Sequence, residues 1–132
     1  MTILAAYVPS SAGRAALTFA LNEAATRGED VVVVNASRGD ALASDHAMSP
    51  DDDARIRTEA ERLGVVVGIE RVIGAESPAS QLLAAADRVS ASLIVIGSRG
   101  RSTVGKLLMG SAALEILSNA RQPVVTVKAE ST

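Results

Sequence analysis

Residues 92–117 read SLIVIGSRGRSTVGKLLMGSAALEIL, and this stretch decides the fold. Residues 92–96 form a short apolar run rich in β-branched residues, which is typical of a strand buried on both faces of a parallel sheet. A basic, glycine-rich loop follows, and from about Ser111 onward apolar residues recur at helical spacing. A strand, a glycine-rich loop and a helix in this order predict one unit of an α/β sheet.

The rest of the chain repeats this alternation. Strand-like runs occupy residues 2–7, 30–35, 65–72 and 123–127. Between them lie helical signals: an apolar stripe ended by Gly28, and two Ser-Pro openings at Ser49 and Ser77. Four helices among five strands predict a doubly wound parallel sheet of order 3-2-1-4-5, in one domain of residues 1–132. Strands 1 and 4 are then neighbours at the switch point, where ligands bind beyond the carboxyl ends of the strands.

Composition excludes several classes of function. Of 132 residues 48% are apolar, but Tyr7 and Phe19 are the only aromatic residues, which argues against stacking on single-stranded nucleic acid. A net charge of −2 gives no basic footprint for nucleic acid, and the lack of cysteine excludes thiol chemistry. No apolar run is long enough to cross a membrane, and the N-terminus lacks the pattern of a signal peptide. We therefore expect a cytoplasmic protein with neither nucleic-acid nor membrane partners.

Acidic residues outside the glycine-rich loop have structural explanations. Asp51, Asp52 and Asp53 fall in the first turn of a predicted helix, where carboxylates complement the helix dipole. Asp45 and His46 are adjacent in the long irregular stretch 36–49 and, as two residues without further ligands, are expected to be solvated. No metal site is predicted.

The loop after strand 4 has the chemistry of a phosphate cradle. Its glycines allow backbone amides to approach a ligand closely, and Gly110-Ser111 opens a helix whose free amides favour an anion. Arg99, Arg101 and Lys106 are basic, and no acidic residue lies between Gly97 and Gly110. The alternative is a structural turn with a solvated basic surface.

A second phosphate-binding pattern is nearly present in the same loop. Gly100-x4-Gly105-Lys106 matches most of the pattern of P-loop nucleotide hydrolases. The next residue is Leu107, so the hydroxyl that usually holds Mg²⁺ is missing, and the pattern follows strand 4 instead of an early strand. We therefore do not interpret the loop as a P-loop.

The spacing Gly97-x2-Gly100-x9-Gly110-Ser111 resembles the G-2x-G-9x-G-[S/T] signature of ATP-binding universal stress proteins. The segments on both sides, and the N-terminal ILAAYVPSSAGRAALTFA, are similar to the same family, so that the resemblance covers nearly the whole chain and is weakest at 37–64. The resemblance implies a Rossmann-like sheet of the adenine-nucleotide α-hydrolase type and a homodimer. It also implies a stress-response regulator or sensor that binds ATP, AMP or another adenine nucleotide, and Mg²⁺ could enter with that nucleotide.

The resemblance also implies site residues, carried over by position. The backbone around Ile96, Gly97, Arg99 and Gly100 would hold ribose and phosphates, Gly110, Ser111 and Ala112 would hold the phosphate tail, and Val8 and Ala36 would lie against the adenine. The family usually has an aspartate where this chain has Val8, in Tyr7-Val8-Pro9-Ser10. Val8 supplies apolar contact but no acceptor, which leaves the phosphate half of the site intact and weakens the base half.

Three hypotheses about function remain open. The first is a nucleotide-binding regulatory or stress-response protein. The second, motivated by Val8, is a nucleotide-free homodimeric adaptor that acts through protein partners. The third is a slow ATPase or phosphotransferase, which the sequence supports least because the predicted site has no histidine and no aspartate at position 8 to act as a general base. An apolar strand 5 at the sheet edge would be covered by the same strand of a second chain.

Overall fold

The computed structural model describes residues 1–38, 47–98 and 110–129, with backbone alone at Arg38. Strands and helices alternate throughout these ranges, as the sequence predicts. In chain order the elements are β1 (Thr2–Ala6), α1 (Ser11–Arg27), β2 (Asp30–Arg38), α2 (Pro50–Leu63), β3 (Val67–Gly74), α3 (Pro78–Arg88), β4 (Leu93–Ser98), α4 (Ser111–Asn119) and β5 (Val124–Lys128).

All five strands form one parallel sheet in the order β3-β2-β1-β4-β5, which confirms the predicted topology. β2 runs on to Arg38, where the sequence prediction ended at residue 35, because β3 pairs with it along its whole length up to Arg38 opposite Gly74. The sheet places β1 beside β4 at its centre, and β3 and β5 at its two edges.

Local sequence signals set the ends of the helices. The hydroxyls of Ser10, Ser49 and Ser77 each accept a hydrogen bond from a backbone amide in the first turn that follows. Gly28 and Gly64 end α1 and α2 in the left-handed conformation, with φ of 69° and 71°, which costs a glycine little. These caps fix where the chain leaves each helix and enters the next strand.

The sheet is covered on both faces by aliphatic side chains. One core packs α1 and α2 against residues such as Ile3, Val33 and Val95, and the other packs α3 and α4 against residues such as Leu4 and Ile94. Because neighbouring residues of a strand point to opposite faces, continuous apolar runs are needed to fill both cores. Because each helix follows a strand of the parallel sheet, all four helices begin beyond the carboxyl ends of the strands.

Candidate functional site

A cavity of about 470 Å³ opens at the carboxyl ends of β1, β2 and β4. It lies at the switch point that the sheet order predicts, since β1 pairs with both β2 and β4. The described residues that line it are Ala6, Tyr7, Val8, Ala12, Gly13, Val34, Ala36, Ser37, Pro78, Leu82, Ile96, Gly97, Ser111, Ala112, Ala113 and Ile116. Aliphatic groups predominate, so that the cavity suits a mostly apolar ligand group.

Most of the site residues expected from sequence come together at this cavity. Those that line it are Val8, Ala36, Ile96, Gly97, Ser111 and Ala112. Gly110 is not among the lining residues but immediately precedes α4 as its N-cap. The predictions for Arg99 and Gly100, like those for Arg101, Lys106, Asp45 and His46, fall outside the described residues.

The N-terminus of α4 reaches the cavity without a side-chain cap. Gly110 occupies the N-cap position in an extended conformation, with φ of −72° and ψ of 163°, and it has no side chain to offer. The first hydrogen bond of the helix runs from the amide of Leu114 to the carbonyl of Gly110, at 3.2 Å. The amides of the first turn and the helix dipole therefore favour an anion at this end of the cavity.

Two glycines allow the backbone to close around the other end of the cavity. A Cβ atom on Gly97 would lie 2.1 Å from the carbonyl oxygen of Ala12, and one on Gly13 would lie 1.9 Å from the carbonyl oxygen of Val8. The sequence interpretation assigned Gly97 to close approach of a ligand. The structure adds a reason of packing, because only glycine lets β4 and the start of α1 come this close.

A buried polar network behind Val8 escaped the sequence analysis. The side-chain amide of Asn35 donates to the carbonyl of Tyr7 at 2.9 Å, and its oxygen accepts from the amide of Met48 at 3.2 Å. The phenol of Tyr7 donates to Asp52 at 3.1 Å. An Asn directly after a run of four valines, and a Tyr that ends an apolar strand, were the signals that could have indicated it.

Asp52 has more than the dipole role expected from sequence. It is buried, forms a reciprocal capping box with Ser49, and pairs with the guanidinium of Arg55 at 2.6 Å. Hydrogen bonding from the backbone amide of Ser49, above all, lowers the pKa of this carboxyl below its ordinary value, against the effect of burial. Burial, with Asp52 beside it, raises the pKa of the Tyr7 phenol above its ordinary value.

The part of the cavity around Val8 is apolar. The carbonyl of Val8 already accepts a hydrogen bond from the amide of Ser10 at 2.8 Å. Val34, Leu82 and Ile116 complete the surface around it. Three described lining residues carry hydroxyl groups: Tyr7, Ser37 and Ser111. The Tyr7 hydroxyl donates its hydrogen bond to Asp52.

Across residues 1–38, 47–98 and 110–129, acidic and histidine side chains nowhere form a group of three that could hold a metal ion. Within the same ranges, every helix is too short or too polar to span a membrane.

The chain is similar to proteins of known family along its whole length. The sequence model of the "Universal stress protein family" matches residues 1–128. A universal stress protein of Mycolicibacterium smegmatis is 34% identical over 126 residues, which are 96% of each chain. The solved structure of the universal stress protein from Archaeoglobus fulgidus in complex with dAMP is 25% identical, with a TM-score of 0.72 over 97% of this chain and 98% of that one.

A more distant structure shares the fold. It is a universal stress protein family protein from Arabidopsis thaliana with AMP bound, 15% identical, with a TM-score of 0.68 over 99% of this chain and 93% of that one. At this identity the likeness is one of fold. Together with the match over residues 1–128 and the curated relative, the topology leads to one conclusion: the chain belongs to the universal stress protein family.

Proposed function

We propose that this protein binds an adenine nucleotide in the cavity at the switch point and acts as a stress-response regulator or sensor. The observation that carries the proposal is the joining of an apolar cavity to the uncapped N-terminus of α4. The first suits a purine base, and the second suits a phosphate. The relative with bound dAMP supports this assignment.

Each part of the nucleotide has proposed contacts. Val8 and Ala36 hold the base, and the amides of Ser111 and Ala112 hold phosphate, with the Ser111 hydroxyl as a further donor. Ile96, Gly97, Arg99 and Gly100 bind ribose and phosphate through the segment that leaves β4, and Gly110 lets the phosphate reach the helix. Any Mg²⁺ would enter with the phosphates. The described lining includes no His, Asp or Glu to act as a general base, which favours binding over hydrolysis.

Calorimetry on protein stripped of nucleotide tests this proposal. We expect binding of AMP or ATP at micromolar concentration, weakened about tenfold by Ser111→Ala, because one hydrogen bond to a charged phosphate is lost. Gly110→Val should weaken binding more, by crowding the start of α4. Ser118→Ala on the exposed last turn of the same helix is the matched control and should bind as the wild type does.

The second candidate is a nucleotide-free homodimeric adaptor, and Val8 is the observation that favours it. A folded protein that binds neither AMP nor ATP at millimolar concentration would refute the nucleotide proposal and leave the adaptor. Both candidates include a homodimer through β5, which lies at the sheet edge with side chains that are only partly buried.

A further inference from the structure

Glu115 places a negative charge between the N-termini of two helices. One carboxylate oxygen lies 3.4 Å from the hydroxyl of Ser77 and 3.3 Å from the hydroxyl of Ser80, at the start of α3. Ser77 in turn caps α3 by accepting from the amide of Ser80 at 3.1 Å. The start of α3 therefore already holds an anion, and that anion is part of the protein.

The same carboxylate borders the proposed phosphate site. A second cavity of about 380 Å³ is lined by Glu115 together with the starts of α3 and α4. It shares Pro78, Ser111 and Ala112 with the nucleotide cavity, so that the two spaces adjoin at the first turn of α4. A phosphate held at the start of α4 is therefore close to the space that Glu115 borders.

The position of Glu115 on α4 brings its charge close to any bound phosphate. It is the fifth residue after Gly110, and helical side chains lean toward the N-terminus, over the turn before them. Glu115 is also the only charged side chain among the described residues that line the second cavity. Each phosphate added to the nucleotide therefore adds repulsion from this carboxylate.

Resting on the proposed function, we propose that Glu115 makes the site selective for adenine nucleotides with a single phosphate over ATP. A monophosphate occupies the amides at the start of α4 and ends there. The two further phosphates of ATP add negative charge close to the space that Glu115 borders. The charge on Glu115, not the size of the cavity, is the selecting feature.

The test compares AMP and ATP binding in EDTA, so that no divalent cation bridges carboxylate and phosphate. Glu115→Gln removes the charge but keeps an oxygen that can accept from Ser77 and Ser80. We expect the dissociation constant for ATP to fall about tenfold and that for AMP to change less than about twofold. Glu115→Asp keeps the charge and should retain the selectivity. Glu61→Gln, on exposed α2 surface, removes the same charge elsewhere and should behave as the wild type does.

The outcomes separate this inference from the function on which it rests. If AMP binds and the ratio of the two dissociation constants is the same in wild type and Glu115→Gln, the inference is wrong and the nucleotide site stands. The inference is also wrong if Glu115→Gln weakens ATP binding. If neither nucleotide binds the folded wild type or any variant, the proposed function itself fails. A thermal unfolding transition of Glu115→Gln at the same temperature as that of the wild type shows that the comparison is made on folded protein.

Discussion

The phenol of Tyr7 donates a hydrogen bond of 3.1 Å to Oδ1 of Asp52, although the two residues are 45 positions apart in the sequence. Both side chains are buried, so that the bond forms away from competing water. Tyr7 follows β1 beside the candidate site, and Asp52 lies in the first turn of α2. The bond therefore joins the site to the helix that packs on the opposite face of the sheet from α3 and α4.

Tyr7→Phe removes this bond and leaves the ring in place. We expect the free energy of unfolding to fall by about 1–3 kcal/mol, because the acceptor is a charged, buried carboxylate that loses a donor. Urea denaturation followed by circular dichroism measures the change. A double-mutant cycle with Asp52→Ala isolates the pair, because alanine has no acceptor for the phenol, and additive effects of the two substitutions would show that the bond contributes nothing.

Asp52 should also make stability depend on pH in the acid range. Its folded pKa lies below its ordinary value, so the unfolded chain binds more protons than the folded protein near pH 4. The stabilisation is thus complete above the ordinary carboxyl pKa and is lost as the pH falls through the lower folded pKa. The difference in unfolding free energy between wild type and Asp52→Asn should shrink between about pH 6 and about pH 3.

That comparison has its own control, since the pKa values of Glu29 and Glu59 are lowered as well. Both carboxylates are present in the variant and in the wild type, so that their contributions cancel in the difference. A difference that stays constant across this range would mean that the pKa of Asp52 is not lowered.

Gly97→Ala should destabilise the protein, whereas Gly110→Ala should not. The new Cβ at position 97 would lie 2.1 Å from the carbonyl oxygen of Ala12, and a backbone atom cannot move aside as a side chain can. We expect a loss of about 1–3 kcal/mol, as for other overpacked sites. At Gly110 nothing lies within 4 Å and φ is −72°, so Gly110→Ala should change stability by less than about 0.5 kcal/mol. Equal unfolding midpoints for the two variants would contradict this packing argument.

The proposed dimer can be tested at the free edge of β5. The amide of Ile94 donates to the carbonyl of Pro123, and that of Ala129 donates to the carbonyl of Ser98, both at 2.9 Å. Parallel strands bond through alternate residues, so that residues 123, 125, 127 and 129 face β4 and Thr126 turns its backbone groups outward. Thr126→Pro removes one outward amide and should convert a dimer to a monomer in light scattering after size exclusion, with the fold retained.

Thr126→Val is the matched variant for that experiment. It keeps the outward amide and the β-branched shape, and should remain dimeric. A folded Thr126→Pro protein that is as dimeric as the wild type would place the contact between subunits away from the edge of β5.

The elements of this fold followed from local chemistry. The continuous runs of valine and isoleucine predicted strands that are buried on both faces. The pairs Ser49-Pro50 and Ser77-Pro78 predicted the starts of two helices, and α2 and α3 begin there. The sheet order followed because five strands with helical crossovers leave few compact arrangements. The end of β2 did not follow, since its last residues extend only where β3 is present to pair with them.

Some features of the candidate site could also be predicted from the sequence, and others depend on the tertiary structure. The glycine spacing of the site could be predicted because it is a pattern of residues close together in sequence. Its position beyond the carboxyl ends of β1 and β4 followed from the predicted sheet order. Contacts between distant segments were decided by tertiary structure: Tyr7 with Asp52, Gly97 with Ala12, and Glu115 with Ser77. These contacts depend on how the helices pack against the sheet. Side-chain volume and the distance between backbone segments determine which atoms meet there, and local propensity does not.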